Sequence, residues 1–300
     1  MAGPSLFDDS DRRYLDLLKR CLTASLYDES AWTSLEAYVQ TFLGEHVLSA
    51  RATWLRALGA PLARLFGVVG AAGRVGGRSF RLVYETPFDA RRRAEGRDWP
   101  LFGYTMVGHA RLDHVQACIE DVVSRGVPGD LVETGVWRGG TVIFMRAVLK
   151  VLGVTDRTVW VCDSFDGLPP PEVADEPDLS RVEFLKVSLE RVVENFRRFD
   201  LLDDRVKFLR GWFAETLPAA PIGPIAVLRL DGDLYCSTWD VLDALYDRVS
   251  DGGYVIIDDY HSWPSCRQAV TDFLAHRRLA PALRTVDWTA VYWQVRRPTD

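Results

Sequence analysis

The stretch DLVETGVWRGGT, residues 130–141, decides the fold, because it combines a short apolar strand, a glycine-rich turn and the start of a helix. From Gly129 onward, short β-branched runs alternate with longer helical patterns, which is typical of βαβ units around a parallel sheet. The predicted strands are DLVET, TVWVCD, VKFLRG, IAVLRLD and YVIIDD, and the helices between them begin near Gly140, Arg181, Ser237 and Ser265. The continuous apolar run at 225–228 indicates a sheet covered on both faces.

The two ends of the chain differ from this middle. LRTVDW and AVYWQVR are strand-like runs separated by a short turn, so they predict an antiparallel pair at the sheet edge. SDRRYLDLLKRCLTASLYD predicts an amphipathic helix with Tyr14, Leu15, Leu18, Leu22 and Leu26 on one face. A second helix is predicted from about Ala31 to Leu48, a helix and flexible connector at 58–77, and a further helix in GHARLDHVQACIEDVVSRG.

These patterns predict an α/β protein with a doubly wound, Rossmann-like sheet, a C-terminal antiparallel hairpin and a helical N-terminal extension. We place the extension at residues 1–107 and the sheet domain at 108–300. The basic run in DARRRAEGRDWP (Arg91, Arg92, Arg93, Arg97) is predicted to be a solvated loop, with a mobile element over an anionic or polar ligand as the alternative.

Bulk composition limits the partners. The chain has 300 residues, 48% of them hydrophobic, and a net charge of -6, which argues against a nucleic-acid phosphate partner. Its five cysteines are scattered, without zinc-ligand spacing, as expected for the reduced cytoplasm. The apolar stretch LGAPLARLFGVVGAAGRVGG is interrupted by arginines and glycines, so we predict no membrane span. Charged residues at 8–13 stand where a signal peptide would have its apolar core, so we also predict no signal peptide.

The glycine-rich turn predicts a cofactor site. Gly135, Gly139 and Gly140 do not match G-x-G-x-x-G, whereas Asp163 at the end of the second strand is suited to accept both hydroxyls of a ribose. Glu133, directly before the turn, would repel phosphates but tolerate a cationic amino-acid moiety. The combination favours S-adenosylmethionine. We assign the neighbouring Thr134 and Ser164 to the same pocket, and Trp212 and Phe213 to its adenine end, with packing under a loop as the alternative.

Paired acids follow two further strands. Asp231 and Asp233 come after IAVLRL, and Asp258 and Asp259 come after YVII. Ligands of doubly wound sheets lie beyond the carboxyl ends of the strands, so Asp231, Asp258 and Asp259 are expected to meet beside the cofactor. Clustered carboxylates raise one another's pKa unless a cation neutralises them, and oxygen ligands favour Mg²⁺. An ordinary acidic loop remains the alternative.

With these residues the chain resembles the macrocin O-methyltransferase family, S-adenosylmethionine-dependent enzymes that methylate sugar hydroxyls on antibiotics. The matching stretches are YLDLLKRCLTASLYD, DWPLFGYTMVGHARLDHVQACIEDVVSRGVPGDLVETGVWRGG, VCDSFDGLP, LRLDGDLYCST, IIDDYHSWPSCRQAVTDF and VYWQ. They cover most of the chain from Tyr14. Two departures stand out: the stretch 32–81 is longer than usual, and His261 and Ser265 occupy positions where the family typically has glycines.

The resemblance implies Mg²⁺ ligands at Asp231, Asp258 and Asp259, with Asp231 also bordering the cofactor, and Thr105 and Met106 near the cofactor's methionine end. If the strand persists beyond Asp231, Asp233 shares its side and can act as general base, a role the family also implies; His261 is the competitor.

The expected activity is Mg²⁺-dependent O-methylation of a sugar hydroxyl on a glycosylated natural product such as a macrolide. The alternatives are a metal-dependent O-methyltransferase of a catechol-type diol, a nicotinamide-dependent oxidoreductase and a non-catalytic binding module. The sheet domain at 108–300 would then be the methyltransferase domain. By the same resemblance, the N-terminal segments are expected to cover the pocket and contribute to a homo-oligomer, a dimer or higher.

Overall fold

A computed structural model describes residues 6–26, 31–34, 73–75, 78–80, 83–98, 100–173, 176, 178–180 and 182–297. In chain order, its helices and strands are α1 (Asp9–Leu22), β1 (Ala31–Ser34), β2 (Gly73–Val75), β3 (Arg78–Phe80), β4 (Val83–Thr86), α2 (Ala90–Ala94), α3 (His109–Ser124), β5 (Asp130–Thr134), α4 (Gly140–Val151), β6 (Val159–Asp163), α5 (Leu189–Arg198), β7 (Val206–Arg210), α6 (Phe213–Thr216), β8 (Ile225–Leu230), α7 (Tyr235–Leu245), β9 (Val249–Ile257), α8 (Pro264–His276), β10 (Arg284–Thr285) and β11 (Val291–Gln294).

The centre of the structure is a seven-stranded sheet with the order β10-β11-β9-β8-β5-β6-β7. Strands β9, β8, β5, β6 and β7 are parallel, whereas β11 runs antiparallel to β9 and β10 antiparallel to β11. The chain winds outward in one direction from β5 to β7 and in the other from β8, so the switch point lies between β5 and β8. This arrangement confirms the predicted fold class, the five parallel strands and the C-terminal hairpin.

Side chains from both faces of the sheet enter two separate apolar cores. Leu131 packs in the core formed with α1, α3, α4 and α5, whereas its neighbour Val132 packs in the core formed with α7 and α8. All six residues of β8 are buried, as the apolar run predicted. No helix in the described ranges is both long enough and apolar enough to cross a membrane.

Helix α1 forms as predicted, but it ends earlier than expected and buries fewer of the predicted residues. Asp8 and Asp11 make a reciprocal capping box at its start. Leu15, Leu18 and Leu22 are buried against the sheet domain, and the helix ends at Leu22. Tyr14 and Leu26, which were predicted to share that face, are exposed, because Tyr14 lies on the flank of the stripe and Leu26 lies beyond the helix end.

The predicted second helix, Ala31 to Leu48, is wrong where the structure describes it. Residues Ala31–Ser34 form β1, which pairs antiparallel with β4 at Val83–Thr86. Threonine, tryptophan, valine and tyrosine in these two segments favour extended backbone, so pairing outweighs the apolar periodicity. The N-terminal extension is therefore not purely helical. Within 58–77 only Gly73–Val75 is described, as a strand paired with β3, and the remainder of both predictions lies outside the described residues.

Two other local predictions need correction. The segment DARRRAEGRDWP contains helix α2, capped by the Asp89 carboxylate, and Arg93 is buried against Asp98 rather than solvated. Arg91 is exposed, as predicted for a solvated segment. The helix expected near Arg181 begins at Leu189, because Ser188 is its N-cap: the Ser188 hydroxyl oxygen accepts a hydrogen bond from the backbone N–H of Arg191.

Candidate active site

A cavity of about 360 Å³ opens at the carboxyl ends of β5, β6, β7 and β8. Eight of the residues predicted for the site line it: Met106, Gly135, Asp163, Ser164, Trp212, Phe213, Asp231 and Asp233. Its volume falls in the range of small-molecule sites, and it lies at the switch point of the sheet. The cavity therefore joins the predicted cofactor residues to one end of the acidic cluster.

The glycine-rich turn brings backbone close to the acidic strand. Gly135 has a φ of +85°, and a Cβ built there would lie 1.8 Å from the carbonyl oxygen of Asp231. Gly139 has a φ of +84° and directly precedes α4. A Cβ at Gly139 would meet Val192 of α5 rather than the cavity. Gly135 thus shapes the cavity wall, whereas Gly139 permits close packing between two helices.

Asp163 ends β6 with its carboxylate facing the turn. One oxygen accepts the backbone N–H of Val136 at 2.7 Å, and the other accepts that of Phe165 at 2.7 Å. Burial raises the pKa of the Asp163 carboxyl, and these backbone donors oppose the rise. The backbone N–H of Trp137 is a further donor to this carboxyl, and the Ser164 hydroxyl lies 3.4 Å from the oxygen that accepts Phe165. Ser164 donates its hydroxyl to the carbonyl of Gly167 at 2.6 Å.

Three other residues predicted to bind the cofactor, Glu133, Thr134 and Thr105, are buried and are not among the residues that line the cavity. Glu133 is 1% exposed, and its carboxylate accepts a hydrogen bond from Arg229. Thr134 is fully buried at the end of β5. The hydroxyl oxygen of Thr105 lies 3.4 Å from that of Thr141. The side chain of Glu133 therefore faces a buried arginine. The expected contact between Glu133 and the cationic moiety of a ligand does not fit this position.

The three acids predicted as metal ligands do meet. One carboxylate oxygen from each of Asp231, Asp258 and Asp259 lies within 4.8 Å of the others. These hard oxygen donors at this spacing fit a divalent cation such as Mg²⁺. Burial and the charges of Asp233, Asp231 and Asp258 raise the pKa of Asp259 well above its usual value. Such mutual repulsion is what a bound cation would relieve.

Two arginines that the sequence interpretation missed complete the cluster. Arg229, within β8, donates to Glu133, Asp231 and Asp258, and Arg111 of α3 donates to the second oxygen of Asp258. Burial raises the pKa of Asp258, but these two guanidinium groups bring it below the usual value. A signal was present, because an arginine inside the run IAVLRL must be paired once that strand is buried.

Asp233 lies beside the cluster but not on an extended strand. Strand β8 ends at Leu230, and Asp233 adopts a left-handed φ of +57°. The backbone N–H of Asp233 donates to a carboxylate oxygen of Asp259 at 3.3 Å, and Asp233 lines the cavity. Burial, with added repulsion from Asp231 and Asp258, raises the pKa of Asp233 to about 7. The assumption that the strand persists is wrong, yet the turn brings this carboxyl to the same place.

His261, the competing base, is exposed and is not among the residues lining the cavity. Its backbone N–H donates to the carbonyl of Thr289, and its ring Nδ1 lies 3.4 Å from Arg267. Thr289 also donates its hydroxyl to the carbonyl of Asp258 at 2.7 Å. In the same turn, Trp288 donates to the carbonyl of Glu95 at 2.7 Å. The C-terminal hairpin therefore joins the acidic cluster to the segment that follows α2.

The strand order and the cavity at its switch point define a class I methyltransferase. The macrocin-O-methyltransferase (TylF) family model matches residues 11–295, and the chain belongs to this family. Membership confirms the predicted family and makes the protein an O-methyltransferase, which sets aside the nicotinamide-dependent and non-catalytic alternatives.

Individual relatives agree with this placement. The chain is 53% identical over 211 residues to demethyldecarbamoylnovobiocin O-methyltransferase of Streptomyces niveus, covering 68% of this chain and 80% of the relative. It is 45% identical over 221 residues to mycinamicin III 3''-O-methyltransferase of Micromonospora griseorubida, covering 71% of this chain and 87% of the relative. The solved structure of the O-methyltransferase NovP matches with a TM-score of 0.75 and 40% identity, covering 96% of this chain and 100% of NovP.

Proposed function

We propose that this protein is an S-adenosylmethionine- and Mg²⁺-dependent O-methyltransferase that acts on a sugar hydroxyl of a glycosylated antibiotic-type natural product. One observation carries the proposal: the cavity that holds the predicted cofactor residues ends at Asp231, which also belongs to the three-carboxylate cluster. A methyl donor in the cavity and an acceptor at the acids would therefore be neighbours.

The cofactor assignment rests on the lining of the cavity. Asp163 ends β6 and lines the cavity, which is the position from which a carboxylate accepts ribose hydroxyls in sheets of this kind. Trp212 and Phe213 line the same cavity and offer flat apolar surfaces for adenine. Met106, which we assign to the methionine end of the cofactor, lines the same cavity. S-adenosylmethionine, when bound, would supply an electrophilic methyl group, and its transfer to the acceptor oxygen would leave S-adenosylhomocysteine.

Asp231, Asp258 and Asp259 would hold Mg²⁺, which when bound lowers the pKa of an acceptor hydroxyl and orients it. Asp233 then accepts the hydroxyl proton at its carboxylate, since it lines the cavity beside these ligands. Burial is the largest cause of the raised pKa of Asp233, and it favours proton uptake at this carboxyl. His261 is the weaker candidate because its side chain is exposed away from the lining residues.

The acceptor class rests on the relatives. Their names specify mycinamicin III 3''-O-methylation and 4'-O-methylation on a rhamnosyl tetracenomycin, in addition to a novobiocin precursor. The tetracenomycin name specifies methylation on a rhamnosyl sugar, and a sugar on an antibiotic aglycone is the acceptor we propose for this chain. We further propose that the described segments within residues 1–107 cover this acceptor end, since Glu95 accepts a hydrogen bond from Trp288 and Tyr104 accepts one from Gly140.

Calorimetric titration with S-adenosylhomocysteine, and separately with NAD⁺, tests the cofactor half. We expect micromolar binding of S-adenosylhomocysteine, about 8 kcal/mol, and none of NAD⁺. Asp163→Ala should weaken that binding at least about tenfold, because it removes the predicted ribose acceptor. Asp166→Ala, an exposed acid three residues further on, is the control and should bind as the parent does. NAD⁺ binding alone, or equal binding by both variants, would contradict the assignment.

A further inference from the structure

Arg229 places a full positive charge in the middle of a buried apolar strand. It is 0% exposed and lies between Leu228 and Leu230, which are both buried. One guanidinium nitrogen, Nη1, donates to Glu133 of β5 and, at 2.8 Å, to Asp231. The other, Nη2, donates to Asp258 directly after β9. A single side chain thus spans the ends of three adjacent strands and contacts two of the three proposed cation ligands.

Arg111 reaches the same cluster from helix α3. Its Nη1 donates to the oxygen of Asp258 that Arg229 leaves free, and its Nε lies 3.1 Å from Asp287 of the hairpin turn. Both oxygens of Asp258 therefore face an arginine. Neither arginine is among the residues lining the cavity, so both approach the acids from the protein interior.

The charges explain why the arginines are needed. An unpaired buried carboxylate is strongly destabilising, and a guanidinium group carries a lasting positive charge in folded proteins. Their hydrogen bonds fix Asp231 and Asp258 relative to each other without using every lone pair of the carboxylates. The arginines thus hold the two acids at their spacing while free lone pairs remain for a cation.

We propose that Arg229 and Arg111 are positioning residues that serve as resident counter-ions of the acidic cluster. They hold Asp231 and Asp258 in place before a cation binds, and their positive charge limits the affinity for it. The inference rests on the proposed function, because it concerns the Mg²⁺ site assigned there. It implies that removal of an arginine makes the stability of the fold depend on Mg²⁺.

Thermal unfolding of the full-length protein, in EDTA and in saturating Mg²⁺, tests this implication together with calorimetric titration by Mg²⁺ alone. Arg229→Met should lower the unfolding midpoint more in EDTA than in Mg²⁺. By linkage, its Mg²⁺ dissociation constant should fall at least about threefold below that of the parent protein. Arg229→Lys keeps the charge, so the effect of Mg²⁺ on its unfolding midpoint should return toward that of the parent protein.

The matched control is Arg146→Met, because Arg146 is also buried and pairs with Asp203, outside the acidic cluster. Its midpoint should fall equally in both solutions. If Arg229→Met does not fold in either solution, Arg111→Met is measured in the same way and should show the same difference. Equal loss in EDTA and Mg²⁺, or weaker Mg²⁺ binding by the variants, overturns the counter-ion role while leaving the metal site intact. Absence of Mg²⁺ binding by the parent protein overturns both proposals.

Discussion

Replacing Gly135 with alanine perturbs the contact between the glycine-rich turn and the backbone of Asp231, directly after β8. A Cβ there would lie 1.8 Å from the carbonyl oxygen of Asp231, whereas real Cβ contacts stay beyond 3.0 Å. The backbone at Asp231 must therefore shift by roughly 1 Å in a closely packed region. Such a shift moves one ligand of the proposed cation and one wall of the cofactor cavity together.

The magnitude has two parts. An L-residue forced to keep a left-handed φ costs about 1–2 kcal/mol, and the clash adds about 1–3 kcal/mol for overpacking. Gly153→Ala separates them, since Gly153 has a φ of +67° with nothing within 4 Å of a built Cβ. It should carry only the first cost. We thus expect Gly135→Ala to lose about 2–5 kcal/mol of unfolding free energy and Gly153→Ala about 1–2 kcal/mol.

Urea unfolding of both variants gives these free energies, and calorimetric titration gives their affinities for Mg²⁺ and S-adenosylhomocysteine. Gly153→Ala should bind both ligands as the parent protein does. Gly135→Ala should bind Mg²⁺ at least about tenfold more weakly, because a displacement of 1 Å exceeds the tolerance of an ordered site. If the two variants lose equal stability and retain equal Mg²⁺ affinity, the close approach of the turn to Asp231 is wrong.

Two further predictions concern single carboxyl and imidazole groups. Asp233→Asn should lower kcat by about 10²–10⁴ while changing acceptor KM little, because it removes the proton acceptor and keeps the shape; a larger effect on KM in steady-state kinetics would contradict this role. Burial, with the charge of Arg229, lowers the pKa of His114 to about 4. The unfolded chain then binds the extra proton between pH 6.5 and 4, so the parent protein loses up to about 3 kcal/mol of stability as the pH falls through that window. His114→Phe, which keeps the ring contact with Tyr292, should lose less in denaturant titrations across the same pH range, and parallel losses would refute the assignment.

The sheet could be predicted from sequence because its signals are local and agree. Residues 130–141 combine strand, turn and helix signals, and the apolar run at 225–228 predicts burial on both faces. Asp231, Asp258 and Asp259 follow from the rule that parallel strands end at one edge. The N-terminal strands were missed because Ala31–Ser34 is extended only through pairing with Val83–Thr86, about fifty residues away.

Side-chain pairings across the sheet were harder to foresee. Glu133 was predicted to face a ligand, whereas it faces Arg229 because the register of β5 against β8 places the two residues side by side. Arg111 enters the cluster from a helix whose packing the sequence does not specify. Asp233 reached the expected location through a left-handed turn instead of a continued strand. Local patterns therefore predicted the acids, and tertiary register determined their counter-ions.

Methyl transfer from labelled S-adenosylmethionine to a glycosylated antibiotic precursor and to its free aglycone tests the central claim most directly. The enzyme is stripped of metal and measured in Mg²⁺ and in excess chelator, and the position of the new methyl ether is determined by NMR. We predict label on a sugar hydroxyl of the glycoside, in Mg²⁺ only, and no turnover of the aglycone. Label on an aglycone hydroxyl, or full activity in chelator, would contradict the proposed acceptor or the proposed metal site, respectively.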